Sequence, residues 1–176
     1  MTQDLRYPIG AFQRVEELTD DQRNSCISQI EEAPKRLSAA VARLSESQLD
    51  TPYRPGGWTV RQLVHHIADS HMNAFTRFKL ALTETEPTIK TYEETLWAEL
   101  ADTRVPPIEP SLAIVDNLHR RWVILLRSLK AADWPRKFRH PQWGLATVDF
   151  LLAQYAWHGR HHVAHITSLR ERCGWG

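Results

Sequence analysis

Four histidines fall within eight residues near the end of the chain, in the run WHGRHHVAH: His158, His161, His162 and His165. Neutral imidazole is the commonest protein ligand for divalent transition metals, so residue type alone points to metal chemistry. On an α-helix, residues four apart lie one above the other on one face. The run therefore holds two stacked pairs, His158/His162 and His161/His165. Either pair could grip one cation if a third ligand came from elsewhere, and a second cluster, His65, His66 and His71, offers candidates. Three imidazoles would leave coordination positions open for water or a substrate. A Zn²⁺ held in this way lowers the pKa of its coordinated water to about 7, which suits hydrolysis at neutral pH. Imidazole sites also accept Ni²⁺ and Co²⁺, so zinc is the default expectation and nickel the alternative.

The helix that carries the run can be read for its buried face. Leu151, Tyr155, His158, His162, Ile166 and Leu169 follow one another at steps of three and four, the pattern of a bundle seam. His158 and His162 replace apolar residues on that stripe. His161 and His165 lie about 60–100° away from its centre, which suits a supporting or surface role. A buried polar group without a partner costs about 1–3 kcal/mol, and two stacked imidazoles in one seam are hard to satisfy by hydrogen bonds alone. A shared cation satisfies both. In the second cluster, His66 shares a stripe with Leu63 and Ser70, whereas His65 and His71 lean toward Val64, Ala68 and Phe75. Periodicity favours His66 over its neighbours only slightly.

These residues need long elements to position them. Residues 1–18 read as an irregular arm broken by Pro8 and Gly10. Thr19 opens a capping-box pattern with Gln22, and a first helix is expected from Asp20 to Leu44, with Pro34 as a possible bend. The loop Thr51–Trp58 (TPYRPGGW) is rich in turn residues, and Thr59 can cap a second helix from Val60 to Leu82. Tyr92–Leu100 suggests a short helix, and Thr103–Pro110 a proline-rich loop. A third long helix is expected over Ser111–Leu129, on a stripe of Val115, Leu118, Trp122, Leu125 and Leu129. The segment Asp133–Gly144 reads as irregular. Thr147 then caps a last helix, with Asp149 in its first turn, that reaches Arg172 and stops at Gly174. The expected fold is all-α: a four-helix bundle with an irregular N-terminal arm and long loops.

Bulk properties narrow the function. A chain of 176 residues suits a single domain spanning residues 1–176, and 42% hydrophobic with 24% charged residues is ordinary for a soluble protein. A formal net charge of +1 and dispersed basic residues argue against nucleic acid as a partner. The chain lacks a run of apolar residues long enough to span a membrane, and its start lacks the pattern of a signal peptide. Cys26 and Cys173 form no redox or zinc motif, so a reducing, cytoplasmic location is expected. His119 and His140 stand isolated in sequence and are expected at the surface.

The stretch Asp50–Glu84, with its GGWTVRQLVHHIADSHMN core, resembles the YfiT branch of the DinB-like family. So do the arm Tyr7–Gly10 (YPIG), Leu118–Trp122 (LHRRW) and Trp157–Thr167 (WHGRHHVAHIT). The resemblance implies a four-helix bundle with one divalent metal, in proteins designated metal-dependent hydrolases. It implies His66, His158 and His162 as the ligands, and the choice of His66 over His65 rests mainly on it. It also implies a homodimer that acts on a small-molecule substrate. Pro141–Leu145 is slightly shorter than that pattern leads one to expect.

Two other readings stay open on the sequence. Relatives in the wider family use the same ligand set to activate a low-molecular-weight thiol for transfer. A non-catalytic metal-binding module is the third reading, though a structural site is normally closed by a fourth ligand and none is evident. No catalytic base stands out. Asp69 and His71, near His66, are candidates to orient a ligand or move protons.

Overall fold

The computed structural model describes residues 4–175. The expected domain extends to residues 1–3 and 176, which lie outside the described residues. In chain order the elements are α1 (Asp20–Val41), α2 (Glu46–Leu49), α3 (Val60–Thr83), α4 (Glu94–Trp97), α5 (Ala101–Arg104), α6 (Glu109–Arg127), β1 (Lys137–His140), β2 (Gly144–Thr147) and α7 (Val148–Cys173).

Local chemistry accounts for the boundaries. Thr19 and Thr59 accept from the backbone N–H of Gln22 and Gln62, whose side chains reach back to the cap backbone, so both capping boxes form. Thr147 caps α7 by accepting from the Phe150 N–H, and Gly174, left-handed at φ 66°, closes it. The first helix ends at Val41 rather than Leu44, because Arg43 adopts a left-handed φ of 63° that a helix cannot pass through. Helix α6 starts at Glu109, with Pro110 inside its first turn, where a missing N–H is harmless. Thr103 and Arg104 belong to the one-turn α5 rather than to the expected loop.

The segment expected to be irregular contains half of an antiparallel hairpin. Strand β1 pairs with β2 in the register Phe138↔Ala146 and His140↔Gly144. The strand KFRH buries Phe138 and His140 and exposes Lys137 and Arg139. Four residues with two charges are too short a window for alternation to stand out from a loop. The fold is thus a mostly helical bundle with one small hairpin.

The four long helices close a ring in which α1 packs on α7, α7 on α3, α3 on α6 and α6 on α1. Consecutive long helices α1 and α3 are therefore diagonal, as are α6 and α7. The connections that cross these diagonals carry α2 and the TPYRPGGW loop in one case and the hairpin in the other, while the longest connection, carrying α4 and α5, joins the neighbours α3 and α6. Two apolar clusters fill the bundle. One gathers Phe78, Trp122, Phe138, Leu151 and Leu152, and the other Leu37, Leu63, Ile67, Ile166 and Leu169. Along α7 the seam runs from the first cluster to the second, and His158 and His162 occupy the stretch between them. The predicted seam is buried along its whole length, from Leu151 to Leu169.

The α6 seam is centred differently from the expected stripe. Ser111, Val115, His119, Trp122 and Leu126 are buried, while Leu118, Leu125 and Leu129 only flank the core. A buried ion pair ties the arm to two helices. The Asp149 carboxylate accepts from Arg23 Nε at 2.8 Å and Nη2 at 2.7 Å, and from the Leu18 backbone N–H at 3.2 Å.

Candidate metal centre

Helix α3 contributes His66 and α7 contributes His158 and His162. One ring nitrogen from each lies within 4.8 Å of the other two, and all three side chains are buried. His66 Nε2 stands 3.4 Å from His158 Nε2. Two nitrogens bound at about 2.0–2.1 Å to a tetrahedral zinc lie about 3.3–3.4 Å apart, so this spacing fits a shared cation. Burial also selects the protonation state that a metal needs. It pushes His66 down to about 4, and His158 and His162 well below the usual imidazole range, with neighbouring histidines adding to the effect on the latter two. The rings are neutral at pH 7 and can offer lone pairs.

Which nitrogen each ring offers follows from its other contacts. His119 Nδ1 lies 2.6 Å from the Ile30 carbonyl oxygen, which can only accept, so Nδ1 carries the proton. Burial holds His119 at about 4, so the ring is neutral and its Nε2 is an acceptor. His71 Nδ1, 2.7 Å away, donates to it. The neutral His71 ring then accepts at Nε2 from His158 Nδ1 at 3.1 Å. His158 Nε2 is left with its lone pair facing His66. A shorter chain acts on His162. His165 Nε2 donates to the Arg6 carbonyl at 3.1 Å, so its Nδ1 can accept from His162 Nδ1 at 3.4 Å. Both α7 donors are thereby oriented by hydrogen bonds that end on backbone carbonyls, the usual support for metal-binding histidines.

The rest of the sequence reading is resolved as follows. His161, His162 and His165 also converge within 4.8 Å, so the alternative pair is buried beside the first rather than on the surface. His161 stacks on Trp157 with ring centroids 4.2 Å apart, and its Nδ1 has no partner. His65 points elsewhere, with Nδ1 bonded to Ser111 Oγ at 2.7 Å. The expectation that His119 and His140 lie at the surface is wrong: they are 1% and 4% exposed. His119 sits in the α6 seam four residues after Val115 and three before Trp122, the same test that picked out His158 and His162. His140 shares the inner face of β1 with Phe138 and stacks on Trp143 at 3.7 Å. The Asp69 carboxylate makes no hydrogen bond to the cluster, and burial raises it to about 6. His71, the other candidate for orienting a ligand, does bond His158.

Two cavities flank the cluster. One of about 240 Å³ is walled by Ser70, Arg77, Tyr155 and His158, and the other, of about 380 Å³, by Tyr7, Tyr53, Trp58 and His162. Trp58 lies over His66 with centroids 4.7 Å apart, and Tyr53 over His165 at 4.0 Å. The loop can fold this tightly because residue 57 is glycine: a Cβ there would come within 2.9 Å of the Tyr53 ring.

The DinB superfamily pattern matches residues 29–166. A Bacillus mycoides protein named "Putative metal-dependent hydrolase" is 55% identical over 98% of this chain and 99% of its own length. A Bacillus cereus protein of the same designation is 54% identical over the same shares. Among solved structures, YfiT from Bacillus subtilis, described as a probable metal-dependent hydrolase with an unusual four-helix bundle topology, superposes with a TM-score of 0.95 at 48% identity, covering 98% of this chain and 99% of that one. A second four-helix bundle protein, at 20% identity and a TM-score of 0.55, shares the fold. The diagonal α1–α3 and α6–α7 connections are part of what the first superposition matches, and the chain belongs to the DinB superfamily, as a close homologue of YfiT.

Proposed function

We propose that the chain is a metal-dependent hydrolase of small molecules, with His66, His158 and His162 holding one divalent cation. Zn²⁺ is the first candidate and Ni²⁺ the second, since three neutral imidazoles suit both. The observation that carries the reading is three buried, neutral imidazoles converging from two helices, with cavities against them and no carboxylate or thiolate among the described residues to close the group. The designations of the Bacillus relatives support it.

A cation in this position supplies Lewis acidity, which polarises a carbonyl and makes water a better nucleophile. The chain's own residues do the rest. The His119–His71 and His165 hydrogen bonds hold the donor rings in one tautomer. Trp58 and Tyr53 cover one side and limit bulk water, which strengthens local electrostatics. Tyr155 and Ser70 present hydroxyls along the smaller cavity, where a reacting group would lie.

The test is a panel of small esters and amides, assayed before and after chelation and again after metal is restored. Hydrolysis that chelator abolishes and metal restores is the expected result. A silent panel, together with metal-dependent conjugation of a small thiol to an electrophile, would replace the reading with thiol transfer.

A further inference from the structure

Arg77 is the buried cation that the metal centre does not use. It sits on α3 and is only 6% exposed. Its Nη1 donates to the Tyr155 hydroxyl at 3.1 Å and its Nη2 reaches the Lys90 carbonyl at 3.4 Å, while Nε has no partner. A guanidinium has five N–H donors, so most are unused. No ion pair joins Arg77 to a carboxylate among the described residues, whereas the other deeply buried arginine, Arg61, bonds both Asp50 and Glu46. Two bonds to neutral oxygens hold the side chain in place, and no carboxylate among the described residues is bonded to it directly, so a buried guanidinium with donors to spare faces the cavity.

The place where an anion can arrive is the cavity of about 240 Å³ that Arg77 walls together with Ser70, Tyr92, Tyr155 and His158. The Tyr92 hydroxyl is buried there beside Ser70, a second polar group in the lining. Glu94, an exposed residue at the rim of the same cavity, forms no ion pair with Arg77; desolvation pushes its carboxyl up while the Arg77 charge acts the other way, so an incoming anion would compete with it for the guanidinium. Tyr155, which Arg77 bonds, precedes His158 by three residues on α7, a rise of about 4.5 Å. Ser70 Oγ, in the same lining, lies 3.5 Å from His158 Nε2, so the cavity that Arg77 walls also reaches the candidate metal donor.

We propose that Arg77 and the cavity around it form a carboxylate subsite, so that the substrate is a small acyl ester or amide bearing a free carboxylate a few bonds from the scissile carbonyl. This substrate class rests on the hydrolase reading, but the subsite itself does not. A monoanion matches the single buried positive charge. The guanidinium fork can donate to both carboxylate oxygens at once, a geometry that an ammonium cannot copy.

The subsite is tested without turnover, on the protein as purified, with propionate as probe and propionamide as its neutral counterpart at constant ionic strength. The readout is the Arg77 Nε–H resonance in a ¹⁵N-labelled sample, with calorimetry on Arg77→Lys in parallel. Propionate is expected to shift that resonance saturably and propionamide to leave it in place. Arg77→Lys should weaken propionate binding by about tenfold or more. If the variant does not fold, the wild-type resonance still decides. No shift with propionate, or equal affinity in wild type and Arg77→Lys, overturns the subsite. A shift in a protein that hydrolyses nothing leaves the subsite standing and removes only the reaction. Chelator-sensitive hydrolysis with an unmoved Arg77 resonance does the reverse.

Discussion

A neutral imidazole has one nitrogen that donates and one that accepts, and burial leaves the rings around the candidate centre neutral. That constraint lets the Ile30 carbonyl, three hydrogen bonds away, determine which nitrogen His158 offers. The effect is measurable at single residues. His158→Ala and His162→Ala should each abolish stoichiometric metal, and His66→Ala should weaken it by about tenfold or more, since removing even a supporting partner typically costs 10–100-fold in affinity. His119→Phe keeps all three donors but removes the anchor of the chain, and is expected to weaken metal binding by about tenfold. Metal analysis and competitive titration check both sets. Unchanged affinity in His119→Phe would mean that the chain does not set the donor. His158 and His162 were legible in the sequence because they interrupt an apolar seam with the correct phase. His119 obeys the same rule on α6, but the α6 stripe reads one residue away from its true centre, with Leu118 in place of His119. His66 was less legible: α3 is buried on nearly every side, so periodicity separates it from His65 only weakly.

At the scale of elements, the site depends on α3 and α7 keeping their register, although the chain between them passes through α6 and a diagonal connection. The Asp149 carboxylate fixes the start of α7 against its other neighbour, binding Arg23 of α1 and the Leu18 backbone from the first turn of α7. Asp149→Ala leaves Arg23, which is 14% exposed, with only the exposed Asp20 as a carboxylate partner, and losing the buried partner of such a pair costs about 3–5 kcal/mol. Denaturant unfolding should show a loss in that range, against about 1 kcal/mol for Thr59→Ala at the α3 cap. Equal, small losses at both positions would contradict the assigned role. The caps at Thr19, Thr59 and Thr147 were readable because a capping residue acts on its own first turn. The hairpin and the partners of Asp149 were not, because they depend on which segments meet in three dimensions.

At the scale of the molecule, the polar layer divides the core in two and makes stability depend on pH. All nine histidines are held below their usual range by burial, His119 and His140 to about 4. The unfolded chain takes up protons below about pH 6.5 while the native state does not. Stability of the metal-free protein is therefore fully present above about 6.5 and is lost as pH falls toward 4. Asp69, pushed up to about 6, and Glu94 act in the opposite sense, but they are two carboxyls against nine imidazoles. The urea midpoint should drop between pH 7 and pH 5, and a constant midpoint would contradict the burial of these rings. Among the described residues no helix is long and apolar enough to cross a membrane. The claim on which the rest depends is that imidazoles from α3 and α7 share one cation. X-ray absorption on freshly purified protein tests it most directly. About one Zn or Ni per chain, with three imidazole nitrogens at about 2.0–2.1 Å, is the expected result. A protein free of stoichiometric metal, or a first shell that keeps its nitrogens in His158→Ala, would contradict it.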